Sequence, residues 1–134
     1  MVDLDVAYSS AIEAGLEIGT LEKGMFARAS AVFGDNWRVD PADPPRFTAI
    51  QASATYRIPV AGREFMTAFG PVLRVSWADT NADADDDAGF LITPGVQMHL
   101  VGNNKLALNL DIFVPESSDL DAEYSIKAQA YIHF

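Results

Sequence analysis

The sequence predicts an all-β fold: an antiparallel up-and-down transmembrane β-barrel of about eight strands, with short periplasmic turns and longer outer loops. Three observations lead to this prediction. Apolar and polar residues alternate with a period of two along almost the whole chain, which is typical of β-strands. The connections between the alternating segments are short and long in turn. The face opposite the apolar one carries Gly, Ala, Ser, Thr and Gln, with few Lys or Glu residues.

Eight alternating segments define the predicted strands. In the last of them, every second residue from Tyr124 to Phe134 is apolar or aromatic, and the residues between are mostly polar. The predicted strands are residues 2–9, 12–19, 25–33, 47–58, 65–77, 90–100, 105–114 and 121–134. Pro71 and Pro94 lie in mid-strand on the apolar face, where each removes a hydrogen-bond donor from the ladder. They predict a local bulge or weakened pairing.

The connections give the predicted sheet a direction. Short connections are expected at 20–24, 59–63 and 102–104, long ones at 34–45 and 79–88, and one of medium length at 115–120. Bacterial outer-membrane barrels have short periplasmic turns and longer outer loops. Aromatic residues near the strand ends suit interfacial girdles, and they are Tyr8, Phe33, Tyr56, Phe65, Trp77, Phe90, Tyr124 and Phe134. We expect the last strand to pair with residues 2–9, which closes the barrel with both termini in the periplasm.

Composition limits the class of protein. The chain has 134 residues, enough for one domain over 1–134, and it contains no cysteine, which excludes disulfides and thiolate metal sites. A net charge of −10 argues against nucleic acid as a partner. The sequence contains no run of eighteen apolar residues, so it predicts no transmembrane helix. The start has no signal-peptide pattern, so an exported protein would be represented here by its mature chain or a fragment.

A soluble antiparallel sandwich, or a calycin-like barrel that binds a small apolar ligand inside, has the same alternation. Three features favour the membrane barrel instead. The difference between long and short connections persists over six connections. The polar face is poor in Lys and Glu, whereas a solvated face is usually rich in them. The alanine-rich stretches at 27–31 and 52–54 would form a poor soluble core.

Several short motifs suggest a family. They are TPGVQMHL at 93–100, GNNKL at 102–106, LNLD at 108–111 and KAQA at 127–130 before the terminal Phe134. Together they resemble the C-terminal part of phosphate-selective porins of the O/P type, in which a hairpin of this kind precedes a closing strand that ends in an aromatic residue. FARAS at 26–30 is similar to another strand of these porins. The resemblance covers residues 88–134 moderately and the remainder loosely.

The resemblance implies a location in the bacterial outer membrane and an assembly signal, with Ile132 and Phe134, for the outer-membrane assembly machinery. It also implies passive diffusion of small, anionic solutes past inward basic residues. The chain would then be a single barrel, alone or in an oligomer, or the C-terminal portion of a longer porin. Its partners would be the lipid bilayer, lipopolysaccharide and small solutes.

The alternation predicts which side chains face the lumen. The candidates for lining a pore are Arg28, Arg57, Arg74, Lys105, Lys127 and Gln129. Two interpretations remain. The bases line an open pore and attract anions, or they pair with inward acids and plug the lumen. The acids are Asp3, Asp5, Glu13, Glu17 and Asp111. An eight-stranded interior is just wide enough for side chains to fill, which favours the plug for a monomer, whereas a larger or oligomeric barrel favours the pore.

Metal and catalytic sites are weakly indicated. Asp83, Asp85 and Asp87 in an acidic loop invite a calcium site, but the spacing fails an EF-hand. We prefer a solvated loop that divalent ions bridge to lipopolysaccharide. The two histidines, His99 and His133, accompany no Ser or carboxylate at a recognisable catalytic spacing. We therefore expect no catalytic residue, no cofactor and no enzymatic activity.

Overall fold

Eight β-strands form a single antiparallel, up-and-down sheet. The computed structural model describes residues 11–20, 24–36, 38, 40, 42–62 and 64–133. The strands are β1 (Ala11–Thr20), β2 (Met25–Asp35), β3 (Arg46–Tyr56), β4 (Ile58–Pro59), β5 (Met66–Asp79), β6 (Gly89–Leu100), β7 (Lys105–Pro115) and β8 (Glu123–Tyr131). A 3-10 turn at Val101–Asn103 joins β6 to β7. Among the described residues, no helix is long and apolar enough to cross a membrane.

The short strand β4 continues β3. Both pair with β5 in one unbroken register, because Thr55 lies opposite Val72 and Ile58 lies opposite Phe69. The interruption falls opposite Pro71, which has no N–H to give to the ladder. The predicted strand 47–58 is therefore confirmed as β3 with β4. The predicted strand 2–9 lies outside the described residues. Eight strands are found nevertheless, because the predicted strand 47–58 is divided into β3 and β4.

The two mid-strand prolines weaken pairing without a bulge. Pro94 pairs with Leu73 of β5 in regular register, but the pairing of β6 with β7 is interrupted after Ile92 and resumes at Gly95. The register shift in β5 lies instead between Met66 and Ala68. The prediction of weakened pairing is confirmed, and the prediction of a bulge at the prolines is wrong. A missing donor removes one hydrogen bond but inserts no extra residue.

The connections alternate in length as predicted. Those at 21–24, 60–65 and 101–104 lie at one end of the sheet, the turn end. Those at 36–45, 80–88 and 116–122 lie at the opposite loop end, and each is longer than any connection at the turn end.

The sheet is open within the described part of the chain. Strands β1 and β8 form its two edges, and no described strand pairs with the outer side of either. The expectation of a closed barrel is therefore not met by these residues. The closure predicted between residues 2–9 and the last strand involves residues outside the described part.

Register places the apolar and polar residues on opposite faces. One row across the sheet, which defines the apolar face, is Leu16, Ala29, Ala52, Val75, Ile92, Ile112 and Tyr124. The adjacent row on the other side, which defines the polar face, runs through Glu17, Arg28, Ser53, Arg74 and Thr93. Every described strand contributes to both faces because side chains alternate along a strand.

Burial on the two faces is the reverse of that in a soluble domain. On the apolar face of inner strands, Ile50 is 49% exposed and Leu73 is 48% exposed. On the polar face, Thr93 is 4% exposed and Asp111 is 5% exposed. No large side chain among the described residues is fully buried. Packing therefore occurs on the polar side of the sheet, and the apolar side is left uncovered.

Glycines explain how the polar side packs. All glycines within the described strands lie on the polar face, and they are Gly15, Gly19, Gly34, Gly70, Gly89 and Gly95. A Cβ at Gly70 would lie 2.5 Å from the carbonyl oxygen of Tyr56, and one at Gly95 would lie 2.1 Å from Oδ1 of Asn109. Crowding on one face is expected on the inside of a curved sheet, where side chains converge. The polar face is thus the concave one.

Candidate functional site

The polar face gathers the predicted lumen-lining residues. Arg28 and Arg74 lie in its central row, and Lys105, Lys127 and Gln129 lie on the same face of β7 and β8. Arg57 lies in the interruption between β3 and β4 and lines a cavity shared with Lys105. Register thus places five of the six predicted residues on the polar face, and the sixth, Arg57, lines the cavity at the end of that face. Their role in lining a lumen stays a prediction.

The first cluster joins β1 to β2. Arg28 lies 3.6 Å from a carboxylate oxygen of Glu13 and 3.6 Å from one of Glu17. All three side chains are about half exposed. Exposed ion pairs of this kind contribute little stability, about 0–1 kcal/mol. Their main effect here is to neutralise the guanidinium charge in the middle of the polar face.

The second cluster is centred on Asp111 of β7. Its Oδ1 accepts a hydrogen bond of 2.7 Å from Oγ1 of Thr93 and lies 3.9 Å from Nη2 of Arg74. Its Oδ2 forms an ion pair with Nζ of Lys127. Nη2 of Arg74 also donates to Oγ1 of Thr93, at 3.3 Å. Asp111 is buried, and a buried carboxylate needs such partners because they replace its hydration.

The third cluster lies at the turn end. Arg57, Thr67, His99 and Lys105 line a cavity of about 370 Å³ together with the turn at 101–104. His99 is only 7% exposed, and the hydroxyl of Thr67 donates to its backbone oxygen at 3.1 Å. Within the described ranges, neither Arg57 nor Lys105 has a carboxylate within 4.0 Å. Among the described residues, this end of the polar face thus holds two bases without a paired acid.

The predicted hairpin at 102–104 is confirmed. Gly102 and Asn103 have φ values of 74° and 64°, in the left-handed region that Gly and Asn tolerate best. The side chain of Asn104 donates to the Val101 carbonyl oxygen at 3.0 Å and accepts from the His133 N–H at 2.8 Å. The turn thus fastens the start of β7 to the chain leaving β8.

The remaining predicted positions form no assembled site. No three carboxylates or histidines of the described residues come together in a way that could hold a metal ion. Asp87 accepts a hydrogen bond of 2.7 Å from Thr80, and Asp83 and Asp85 are exposed in the same loop. Ile132 is exposed, and Phe134 lies outside the described residues. The assembly signal stays a prediction.

Thr93 is the residue that sequence reasoning missed. Its hydroxyl links Arg74 to Asp111, and all three lie on neighbouring strands. The alternation places Thr93 on the polar face, but only the register of β5 with β6 places it opposite Arg74.

The chain matches no protein-family model, no curated protein and no solved structure. The resemblance to O/P-type porins stays a prediction, and the functional argument rests on the geometry of the sheet.

Proposed function

We propose that this chain is a bacterial outer-membrane β-barrel whose apolar face contacts lipid and whose polar face lines a narrow aqueous lumen for passive diffusion of ions and small solutes. The observation that carries the proposal is the reversed burial. Large aliphatic and aromatic side chains are exposed across the whole sheet, while Thr93 and Asp111 are buried. A continuous apolar surface of this extent is unfavourable in water and is the normal outer surface of a membrane barrel.

Strand stagger supports the same architecture. The row through Ala29 and Tyr124 lies six residues from the loop end of β2, at Asp35, but only one residue from the loop end of β8, at Glu123. A shift of about five residues over about five strand spacings is roughly 16 Å along the strands against roughly 24 Å across them. Strand ends that share one membrane surface then require a tilt of roughly 35°, which is typical of barrels.

Aromatic residues of the apolar face lie near both ends of the strands. Near the loop end are Phe33, Trp77, Phe90 and Tyr124, and near the turn end are Tyr56 and Phe69. Membrane barrels carry aromatic girdles at the two interfaces, with an apolar band between them.

Strand direction defines what must close the barrel. Strands β1 and β8 both run from the loop end to the turn end, so direct pairing of the two would be parallel. An all-antiparallel barrel needs an odd number of further strands. Residues 2–9 alternate and directly precede β1, and a strand there would run opposite to β8. An unpaired edge is very unfavourable in lipid. The closure predicted from the sequence for residues 2–9 would remove it and stays a prediction, because those residues lie outside the described part of the chain.

Quenching of tryptophan fluorescence by brominated lipid tests the proposal. In a Trp37→Phe background, Trp77 on the apolar face is the only tryptophan, and we expect strong quenching in vesicles of brominated phosphatidylcholine. The matched control carries Trp37→Phe, Trp77→Phe and Gln51→Trp, which moves the reporter to the polar face. We expect weak quenching there. A folded, monodisperse protein in buffer without detergent would overturn the membrane assignment.

A plugged barrel is the second candidate. The ion pairs of Arg28 with Glu13 and of Lys127 with Asp111 favour it, because side chains can fill an eight-stranded interior. The open lumen is favoured by the small residues of the polar face and by a cleft of about 310 Å³ beside Glu13, Arg28 and Ser76. Planar-bilayer recording in KCl separates the two. Small ohmic steps are expected for the pore, and persistent silence would support the plug.

A further inference from the structure

We infer that Asp111 determines the ion selectivity of the lumen, because its carboxylate contacts both Arg74 and Lys127, offsets one of their two positive charges, and so weakens the anion preference that these bases would otherwise create. The inference rests on the proposed function of the polar face as the wall of an aqueous lumen. Asp111 acts directly, because its own carboxylate oxygens contact Arg74 and Lys127.

The geometry of the carboxylate supports this role. Each oxygen of Asp111 has its own basic partner: Oδ2 contacts Nζ of Lys127, and Oδ1 lies 3.9 Å from Nη2 of Arg74. Thr93 fixes the carboxylate with a hydrogen bond of 2.7 Å to Oδ1. Asp111 is 5% exposed, whereas both basic side chains are more than a third exposed on the polar face. The carboxylate of Asp111 is therefore buried in the wall of the proposed lumen, whereas Arg74 and Lys127 are exposed to an ion in it.

The charges along the polar face are uneven as a result. In the central clusters, three acids (Glu13, Glu17 and Asp111) accompany three bases (Arg28, Arg74 and Lys127). At the turn end, Arg57 and Lys105 have no carboxylate within 4.0 Å in the described part of the chain. Among the described residues, the acids and bases of the central clusters are thus equal in number, whereas the turn end holds two bases without a paired acid. Rings of uncompensated charge set the selectivity of a pore, so the central balance is the feature to change.

Reversal potentials in a KCl gradient test the role of Asp111. The Asp111→Asn variant leaves Lys127 and Arg74 uncompensated, and we expect its chloride-to-potassium permeability ratio to rise roughly six-fold. One charge about 8 Å away in water changes the partitioning of each ion roughly two- to three-fold, in opposite directions for chloride and potassium. Glu123→Gln is the matched control, because it removes the same charge on the same face at the loop end of β8. We expect a clearly smaller change for it.

Two further variants keep the test decisive. Asp111→Asn combined with Lys127→Gln restores the charge balance, and we expect it to return the reversal potential to that of the wild type. Lys127→Gln alone leaves the charge of Asp111 partly uncompensated and should shift selectivity toward potassium, which provides a test if Asp111→Asn does not fold.

The outcomes separate this inference from the proposed function. Conducting channels whose reversal potential is the same in Asp111→Asn and Glu123→Gln would overturn the role of Asp111 and leave the pore intact. Wild-type protein that inserts, with Trp77 quenched, but never conducts would overturn both the open pore and its selectivity residue. Shifts of opposite sign in Asp111→Asn and Lys127→Gln, cancelled in the double variant, would establish the role.

Discussion

Leu73 and Arg74 are neighbours on β5, and they represent the two faces of the sheet. Leu73 is about half exposed in the middle of a continuous apolar surface. Arg74 contacts Thr93 and Asp111, both of which are buried. In a water-soluble β-sandwich the alternation has the opposite result, since the apolar face forms the core and the polar face is solvated. The comparison shows that alternation alone does not fix which face is packed, whereas burial shows that in this sheet it is the polar one.

The two faces also differ in the size of their side chains. The polar face carries all the glycines of the described strands, and the apolar face carries none of them. Small residues on the polar side let neighbouring groups approach, as at Gly95, where the side chain of Asn109 occupies the space a Cβ would need. Curvature toward the polar side follows. A curved sheet that is polar inside can enclose water, which is the arrangement that the proposed function needs.

The largest expected effect on stability comes from placing a positive charge on each face in turn. Lys in place of Leu73 would put an ammonium near the middle of the apolar face, which we propose to contact lipid, and we expect it to destabilise the protein folded in vesicles by about 2–4 kcal/mol. Lys in place of Val72 lies one residue away on the polar face, opposite Thr55 and Gly95, and should change stability by no more than about 1 kcal/mol. Urea unfolding in phospholipid vesicles measures both.

The reverse order of effects would contradict the assignment of the faces. If the apolar face met water, Leu73→Lys would be tolerated because the site is already exposed, and it would raise solubility in plain buffer. Val72→Lys would then be the damaging change, since the polar face would form a dry interior in which an ammonium loses its hydration. Equal effects of the two substitutions would mean that neither face contacts lipid.

Much of the sheet is predictable because alternation and turn signals are local. The strands at 12–19, 25–33, 105–114 and the others within the described residues all occur, with ends that differ by a few residues. Their division into two faces is also correct, since parity along a strand fixes the face of every side chain. Which of the two faces is concave could not be predicted from the sequence. Alternation is identical whether the apolar face is inside or outside.

Contacts between strands are harder to predict because they depend on register. Asp111 was expected among the inward acids, but its partners Lys127 and Thr93 follow only from how β6, β7 and β8 align. The cavity beside Arg57 depends on a further detail, the interruption of β3 and β4 opposite Pro71. A shift of one residue in any of these pairings would exchange the faces and separate the clusters. The polar face was predictable, whereas its network of contacts was not.

The smaller expected effect tests the crowding of the polar face. Ala at Gly70 would place its Cβ 2.5 Å from the carbonyl oxygen of Tyr56, a backbone atom that cannot move without disturbing β3. We expect this substitution to lower the free energy of unfolding by about 1–3 kcal/mol. Ala at Gly15 meets nothing closer than 3.5 Å, so its effect should stay within about 1 kcal/mol and can be stabilising. Urea unfolding of both variants in vesicles measures the difference. Equal stabilities would show that the polar side has room for a methyl group at Gly70. The concave packing deduced for that face would then be wrong at the point where β3 gives way to β4.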